Sequence, residues 1–162
     1  MEKRFAITFG IGIVAIVAAV AGILYMQRGA HVELTGRFLK VRTAPLDDNS
    51  SVAVVDFRFV NPADYPFVVR SVTLTMEDNS GAHYEGAVVS EADTRSLFAG
   101  VPLLGEKYNT TLILRDKVPA HASEDRMLAA RFEVPDSRLE ARKRLVIRVE
   151  DVDGPVSEIT EK

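Results

Sequence analysis

The sequence predicts an all-β domain, an antiparallel β-sandwich with two short helical insertions, behind one N-terminal transmembrane α-helix. Three observations carry that expectation. Apolar and polar residues alternate with a period of two through most of the chain after residue 31. Turn-forming clusters separate the alternating runs at about the 8–12-residue spacing of a sandwich. Phe5–Met26 is a run of 22 residues without a charge. A closed barrel is the alternative arrangement of the same strands.

The uncharged run comes first in the chain. Only Thr8 and three glycines interrupt its apolar side chains. As a helix it would be about 33 Å long, enough to cross a ~30 Å hydrocarbon core. A buried core helix of that length would normally carry polar residues on one face. A cleaved signal peptide is the rival reading. Ala19-Val20-Ala21 has the small residues of a cleavage site, but Ile23, Leu24, Tyr25 and Met26 carry the apolar run past it. The run therefore reads as a signal-anchor in contact with membrane lipid through residues 5–26. Residues 1–4 form a cytoplasmic tail, 27–31 a short juxtamembrane linker and 32–162 the β-sandwich domain. Lys3 and Arg4 precede the span, whereas Arg28, Arg37, Lys40 and Arg42 follow it, so positive charges alone do not put the N-terminus inside. The very short tail and the β domain, which can translocate regardless of its charge, do. The expectation is a single-pass cell (inner) membrane protein with an extracytoplasmic C-terminal domain. Small residues recur at spacing four (Ala15/Ala19 and Ala18/Gly22), which would let two anchors pack as a homodimer.

The strands follow in order. Val32, Leu34 and Phe38 alternate with Glu33, Thr35 and Arg37, and Leu39 and Val41 fall in the opposite phase, which places a bulge at Gly36. Ala44–Ser50 reads as a turn. The clearest strand has Ala53, Val55, Phe57 and Phe59 on one side and Asp56 and Arg58 on the other. Asn61–Pro66 stops it. Val68, Val72, Leu74 and Met76 then alternate with Arg70, Thr73 and Thr75, and Asp78–Gly81 turns the chain into His83–Val89. Ser90–Asp93 has a capping-box pattern opening a helix through Phe98. Tyr108–Leu114 and Met127–Val134 read as strands, the latter with Leu128, Ala130, Phe132 and Val134 in phase. Asp136 or Ser137 would cap a second short helix through Arg142. Leu145, Ile147 and Val149 mark the last strong strand, and Asp153-Gly154 leads into a short one at Val156–Ile159.

The stretch Val55-Asp56-Phe57-Arg58-Phe59-Val60-Asn61-Pro62, followed by Pro66-Phe67-Val68-Val69, is a β-strand ending in Asn-Pro, a second Pro four residues on and a Val-rich strand. It resembles the water-stress and hypersensitive-response domain of late-embryogenesis-abundant proteins, over residues 32–116. The resemblance implies an immunoglobulin- or fibronectin-like sandwich, often tethered by an N-terminal membrane segment. The helix-like 91–98 insertion and the 136–144 segment depart from that pattern.

Composition narrows the function. Hydrophobic residues are 47% of the chain and charged residues 27%, which excludes a disordered protein. Lys3, Arg4, Arg28 and Glu2 precede His31, leaving 17 Lys and Arg against 22 Asp and Glu, so the domain is near −5. That argues against nucleic acid as a partner. The absence of cysteine excludes disulfides, thiolate metal sites and thiol nucleophiles. His31, His83 and His121 stand far apart, without ligands at metal spacing. There is no Gly-x-Ser-x-Gly, Walker or dinucleotide motif. No catalytic residue, cofactor or metal is therefore expected, and the chain does not read as an enzyme. A hydrolase with an unrecognised site is the remotest alternative.

Three segments remain as candidates. Asp151 and Asp153, in Glu150–Gly154, offer the oxygens calcium prefers, but without the full loop pattern they fit a solvated turn better. Arg138, Arg142, Lys143 and Arg144 form the densest basic patch, suited to anionic headgroups or an acidic partner, or simply a charged helix face. Leu97, Phe98, Val101, Leu103 and Leu104 are too apolar for an exposed connection. They either complete the core or form the docking patch for a protein partner whose identity the sequence does not give. The function expected is a membrane-anchored, non-catalytic protein-binding or assembly module. An accessory single-span subunit of a larger membrane complex is the alternative.

Overall fold

The computed structural model describes residues 12–22 and 33–162. The chain divides into two units, residues 1–32 and Glu33–Lys162. In the first, residues 12–22 are helical and exposed. The rest of the Phe5–Met26 run, the 1–4 tail, the 27–31 linker and Val32 lie outside the described residues. Among the described residues no helix is long and apolar enough to cross a membrane.

The second unit is the β domain. Its described elements are β1 (Thr35–Asp47), β2 (Ser50–Val60), β3 (Phe67–Glu77), β4 (His83–Val88), α1 (Glu91–Gly100), a 3₁₀ turn (Pro102–Leu104), β5 (Lys117–Val118), β6 (Ser123–Phe132), α2 (Asp136–Glu140), β7 (Arg144–Asp151) and β8 (Val156–Thr160). The strand order is β1-β2-β6-β4-β3-β7-β8, with β5 beside β3, and every ladder is antiparallel. The sheet curls into a sandwich because β4 changes partner. Gly86 is still paired with Leu74 of β3, and Ala87 is already paired with Arg131 of β6. A Cβ at Gly86 would stand 2.7 Å from the Phe132 ring and 2.9 Å from Ala130 Cβ, so the crossing needs glycine. On the opposite side the end strands β1 and β8 approach each other, where Leu34 N donates to Ser157 Oγ at 2.7 Å.

The interior is filled from both halves. Ala53, Val55, Phe57 and Phe59 of β2 meet Leu128, Ala130 and Phe132 of β6 and Leu74, Met76, Leu145, Ile147 and Val149 of β3 and β7. Phe57 is wholly buried, with its ring centroid 5.7 Å from that of Phe59. Leu139 of α2 joins the same core.

Several local expectations are corrected. The bulge in β1 lies at Leu39, between the pairs Phe38↔Phe57 and Lys40↔Asp56, and not at Gly36. Gly36 serves the seam instead: a Cβ there would meet Ile159 Cδ1 at 2.6 Å and Arg58 O at 2.7 Å. The Ala44–Ser50 turn shrinks to Asp48-Asn49, with Asp47 Oδ1 accepting from Asn49 N, because Ala44 is buried and β1 runs on to Asp47. In β3 the phase shifts at Arg70, so Phe67 and Val69, and not Val68, face the core. Tyr108–Leu114 is no strand. It makes one parallel bridge, Thr111↔Met127, and then turns at Ile113–Asp116 with Arg115 at φ 68°. The cap of α2 is Pro135, not Asp136 or Ser137, and the helix ends at Glu140.

Candidate functional site

The outer face of β1, β2 and β6 carries a second apolar cluster: Ala44, Val52, Val54, Met127 and Ala129, covered by Leu104. The covering segment begins at Ser90. Its Oγ accepts from Asp93 N at 3.1 Å and donates to Asp93 Oδ2, capping α1 as the sequence pattern requires. Leu97, Phe98 and Val101 are half-buried against the cluster. Leu104 is 1% exposed, which removes it from any docking patch, because the 3₁₀ turn points it into the sheet. Leu103 alone of the five is open, at 76%.

Arg42 fastens this cover. Its Nη1 donates to Leu104 O at 2.6 Å and Glu106 O at 2.7 Å, and its Nη2 to Asp56 Oδ2 at 2.7 Å. Asn109 Nδ2 donates to Asp56 Oδ1 at 2.8 Å. The guanidinium also lies 5.2 Å from the Phe98 ring centroid and 5.1 Å from that of Tyr108. Sequence reasoning missed this group. Arg42 and Asp56 are ordinary polar strand residues on paper, and only the register brings them together.

The basic patch is not free. Lys143 Nζ and Arg144 Nε each meet an oxygen of buried Glu77 at 2.6 Å. Their hydrogen bonds hold the Glu77 carboxyl below its ordinary value. Arg138 pairs with Asp78 at 3.0 Å and lies over the Tyr84 ring. The Asp78 carboxyl is held far below the carboxylate range, first by the Ser80 hydroxyl and then by Arg138. Arg142 donates twice to Glu161, at 2.8 and 2.6 Å. All four cations thus meet carboxylates within the domain, while Arg138, Lys143 and Arg144 keep about half of each side chain open.

The calcium candidates are structural as well. Asp151 is buried, and its oxygens accept from Asp153 N at 3.0 Å and Val68 N at 3.4 Å. Gly154 turns the loop at φ 100°. Among the described residues no group of three or more His, Asp or Glu side chains is placed to hold a metal. His83 and His121 are both exposed, and His121 Nε2 lies 2.9 Å from Asp64 Oδ1. His31 lies outside the described residues.

Asn61, the residue on which the resemblance turned, is a buried hub. Its Nδ2 donates to Tyr65 O, Val118 O and Pro119 O, and its Oδ1 accepts from Ala63 N. The Asn-Pro motif therefore holds the β2–β3 and β5–β6 connections together.

Besides an opening of about 400 Å³ at Thr35, Arg58 and Val60, two larger ones lie on the described part of the domain. One is an apolar groove of about 460 Å³ between β4 and the 112–114 segment, lined by Val72, Val88, Leu112, Ile113 and Leu114. The other is the seam between β1 and β8, about 580 Å³, lined by residues 36–41 of β1 together with Arg142, Thr160, Glu161 and Lys162. One wall is the end strand β1; the other is Thr160 at the end of β8, with Glu161, Lys162 and Arg142 beyond it. The Leu39 bulge leaves that side chain 42% exposed at the seam.

No family model and no curated relative matches the chain, so the resemblance to the water-stress domain rests on the Asn61-Pro62 motif alone. Among solved structures, the chain is similar to an uncharacterized β-sandwich protein of Clostridium difficile 630. The two are 12% identical over 80% of this chain and 86% of that one, with a TM-score of 0.40. It is also similar to an ApaG protein of Pseudomonas aeruginosa PAO1, 14% identical over 72% of this chain and 93% of that one, with a TM-score of 0.37.

Proposed function

We propose that this protein is a membrane-anchored, non-catalytic module whose β-sandwich lies outside the cytoplasm and binds another protein. The anchor reading is supported by the uncharged run Phe5–Met26, of which residues 12–22 are helical and exposed. The binding reading is supported by one observation above the others: the end strand β1 borders an open groove along residues 36–41, with an exposed Leu39 in it. Unpaired strand edges are surfaces on which another chain can continue a sheet. The cations of the basic patch, by contrast, already pair with carboxylates of the domain, and Leu97, Phe98, Val101 and Leu104 pack at least in part on the outer cluster.

The test is made in cells. Carbonate washing leaves the protein in the membrane pellet, and protease added to spheroplasts removes the domain. A photoreactive residue at position 39 captures a second protein, and the same residue at Leu114, exposed in the groove beside β4, does not. Release of a shortened soluble form overturns the anchor, and equal capture at both positions overturns the seam as the binding surface.

A further inference from the structure

Resting on the reading of the domain as a binding module, we infer that the seam takes up an extended, acidic segment of its partner protein as an additional strand along β1. The inference comes from the two faces that β1 turns toward such a strand. Phe38 and Val41 pack toward the interior core, so they face inward. Arg37 stands opposite Arg58 in the ladder, and Lys40 lies over the Tyr108 ring at 5.1 Å, so both face outward. Side chains of an added strand alternate between the same two faces and meet these residues as cross-strand neighbours. Its inward residues therefore meet Phe38, Val41 and the bulged Leu39. Its outward residues meet two cations.

The charges at the seam are unbalanced. Asp125 accepts from Arg58 with both oxygens, at 2.6 and 2.8 Å, and Asp56, opposite Lys40 in the ladder, accepts from Arg42 and Asn109. Among the described residues Arg37, Lys40 and Lys162 have no carboxylate within ion-pair distance. The acid on the opposite wall, Glu161, is held by Arg142. An incoming strand with carboxylates on its outward positions is the complement of this edge, and one with outward lysines is repelled. Lys and a bulge on an edge strand also discourage self-pairing. That duty asks only for charge, and does not account for the apolar half of the groove.

The two ends of the groove fit a single strand. At Gly36 and Ile159 the walls close to van der Waals contact, and from Phe38 onward they part. The opening runs beside residues 36–41 of β1, six residues that span roughly 20 Å at 3.3 Å per residue, the length of one short strand.

The full-length protein in lipid nanodiscs is titrated with fluorescent acetyl-(Val-Glu)4-amide and, separately, acetyl-(Val-Lys)4-amide. The Glu peptide binds saturably, binding weakens with salt, and amide exchange slows at residues 36–41. Arg37→Glu with Lys40→Glu weakens it by roughly tenfold or more, and Arg37→Ser with Lys40→Ser does so to a lesser degree, at unchanged melting temperature. The Lys peptide does not bind. Equal binding of the two peptides, no binding of either, undiminished binding by the charge variants, or protection elsewhere overturns the inference. So does capture at position 39 that yields only a second copy of this chain. If the Glu peptide fails while position 39 still captures another protein, the acidic strand is wrong and the binding module stands; if both fail, both readings fall.

Discussion

The interior core and the cluster under α1 share strands β2 and β6 and differ in almost everything else. The interior receives large side chains from both halves of the sandwich, among them Phe57, Phe59, Phe67 and Phe132. The outer cluster has a floor of small and medium residues, Ala44, Val52, Val54 and Ala129, with Met127. Small residues let the cover lie close to the strands. They also leave little apolar area to hold it, and Leu97, Phe98 and Val101 are only half-buried. The outer cluster is therefore held by directed polar contacts where the interior is held by packing. Arg42 alone ties the strand β1 to two carbonyls of the cover and to Asp56.

Truncation in the interior tests the packing half of that contrast. Phe57→Ala costs about 3–5 kcal/mol, measured by urea denaturation, because a fully buried ring leaves a cavity that both halves of the sandwich line. Much of a domain's stability of about 5–15 kcal/mol is lost with it.

The polar half is tested at Asp56. Asp56→Ala leaves the Arg42 guanidinium, 8% exposed, facing an apolar hole, at a cost of order 3 kcal/mol. The double change Arg42→Met with Asp56→Leu restores a large part of it, since no charge is then stranded. Amide exchange separates the regions. The single variant loses protection in 91–109 before the interior strands, whereas Phe57→Ala loosens both together. If Asp56→Ala leaves the 91–109 amides as protected as before, packing and not Arg42 holds the cover.

This division also decides how much of the molecule was legible in the sequence. The faces of β2, β6 and β7 were read correctly because Phe57, Leu128 and Ile147 obey period two and point into one core. The reading failed where a bulge reset the phase. The break of phase at Leu39 shows in the alternation but not which residue bulges, and Arg70 inserts a residue that nothing in its side chain marks. Tyr108–Leu114 alternates like a strand but finds a partner at one bridge only. The seam was invisible for a different reason: β1 and β8 are distant in sequence, and their adjacency is a property of the sheet order. The basic run Arg138–Arg144 looked like a surface because its partners, Glu77, Asp78 and Glu161, come from other strands.

Acid sharpens the comparison further. Glu77 and Asp78 close one end of the interior core, and both carboxyls are held below their ordinary values. A carboxyl with a lowered folded-state pKa contributes stability that is fully present above about pH 4, its unfolded value. That contribution fades as the pH falls toward the folded value. Thermal melts are therefore flat at neutral pH and decline in acid. Asp78→Asn, which keeps the shape but loses the charge that Ser80 and Arg138 stabilise, melts lower at pH 7 and declines less steeply below pH 4. A variant with the parent's full acid dependence places the titrating groups elsewhere.

The smallest effect falls on neighbouring residues of the 3₁₀ turn. Leu104 is buried in the outer cluster, and Leu103, one residue before it, is 76% exposed. Leu103→Ser therefore changes stability by no more than about 0.5 kcal/mol, the usual range for surface positions without special contacts. Its value lies in what else it reads. The sequence nominated Leu103 together with Phe98 as a docking patch, and Leu103 is the member that the fold leaves open. With the melting curve unchanged, capture from position 39 should also be unchanged in Leu103→Ser, because the seam is on β1 and β8 and the 3₁₀ turn does not line it. Capture lost at unchanged stability would instead move the partner onto the cover of the outer cluster. The weakly buried Phe98 and Val101 would then be half-open to receive it, and the polar fastening by Arg42 would be the means of holding that surface in place.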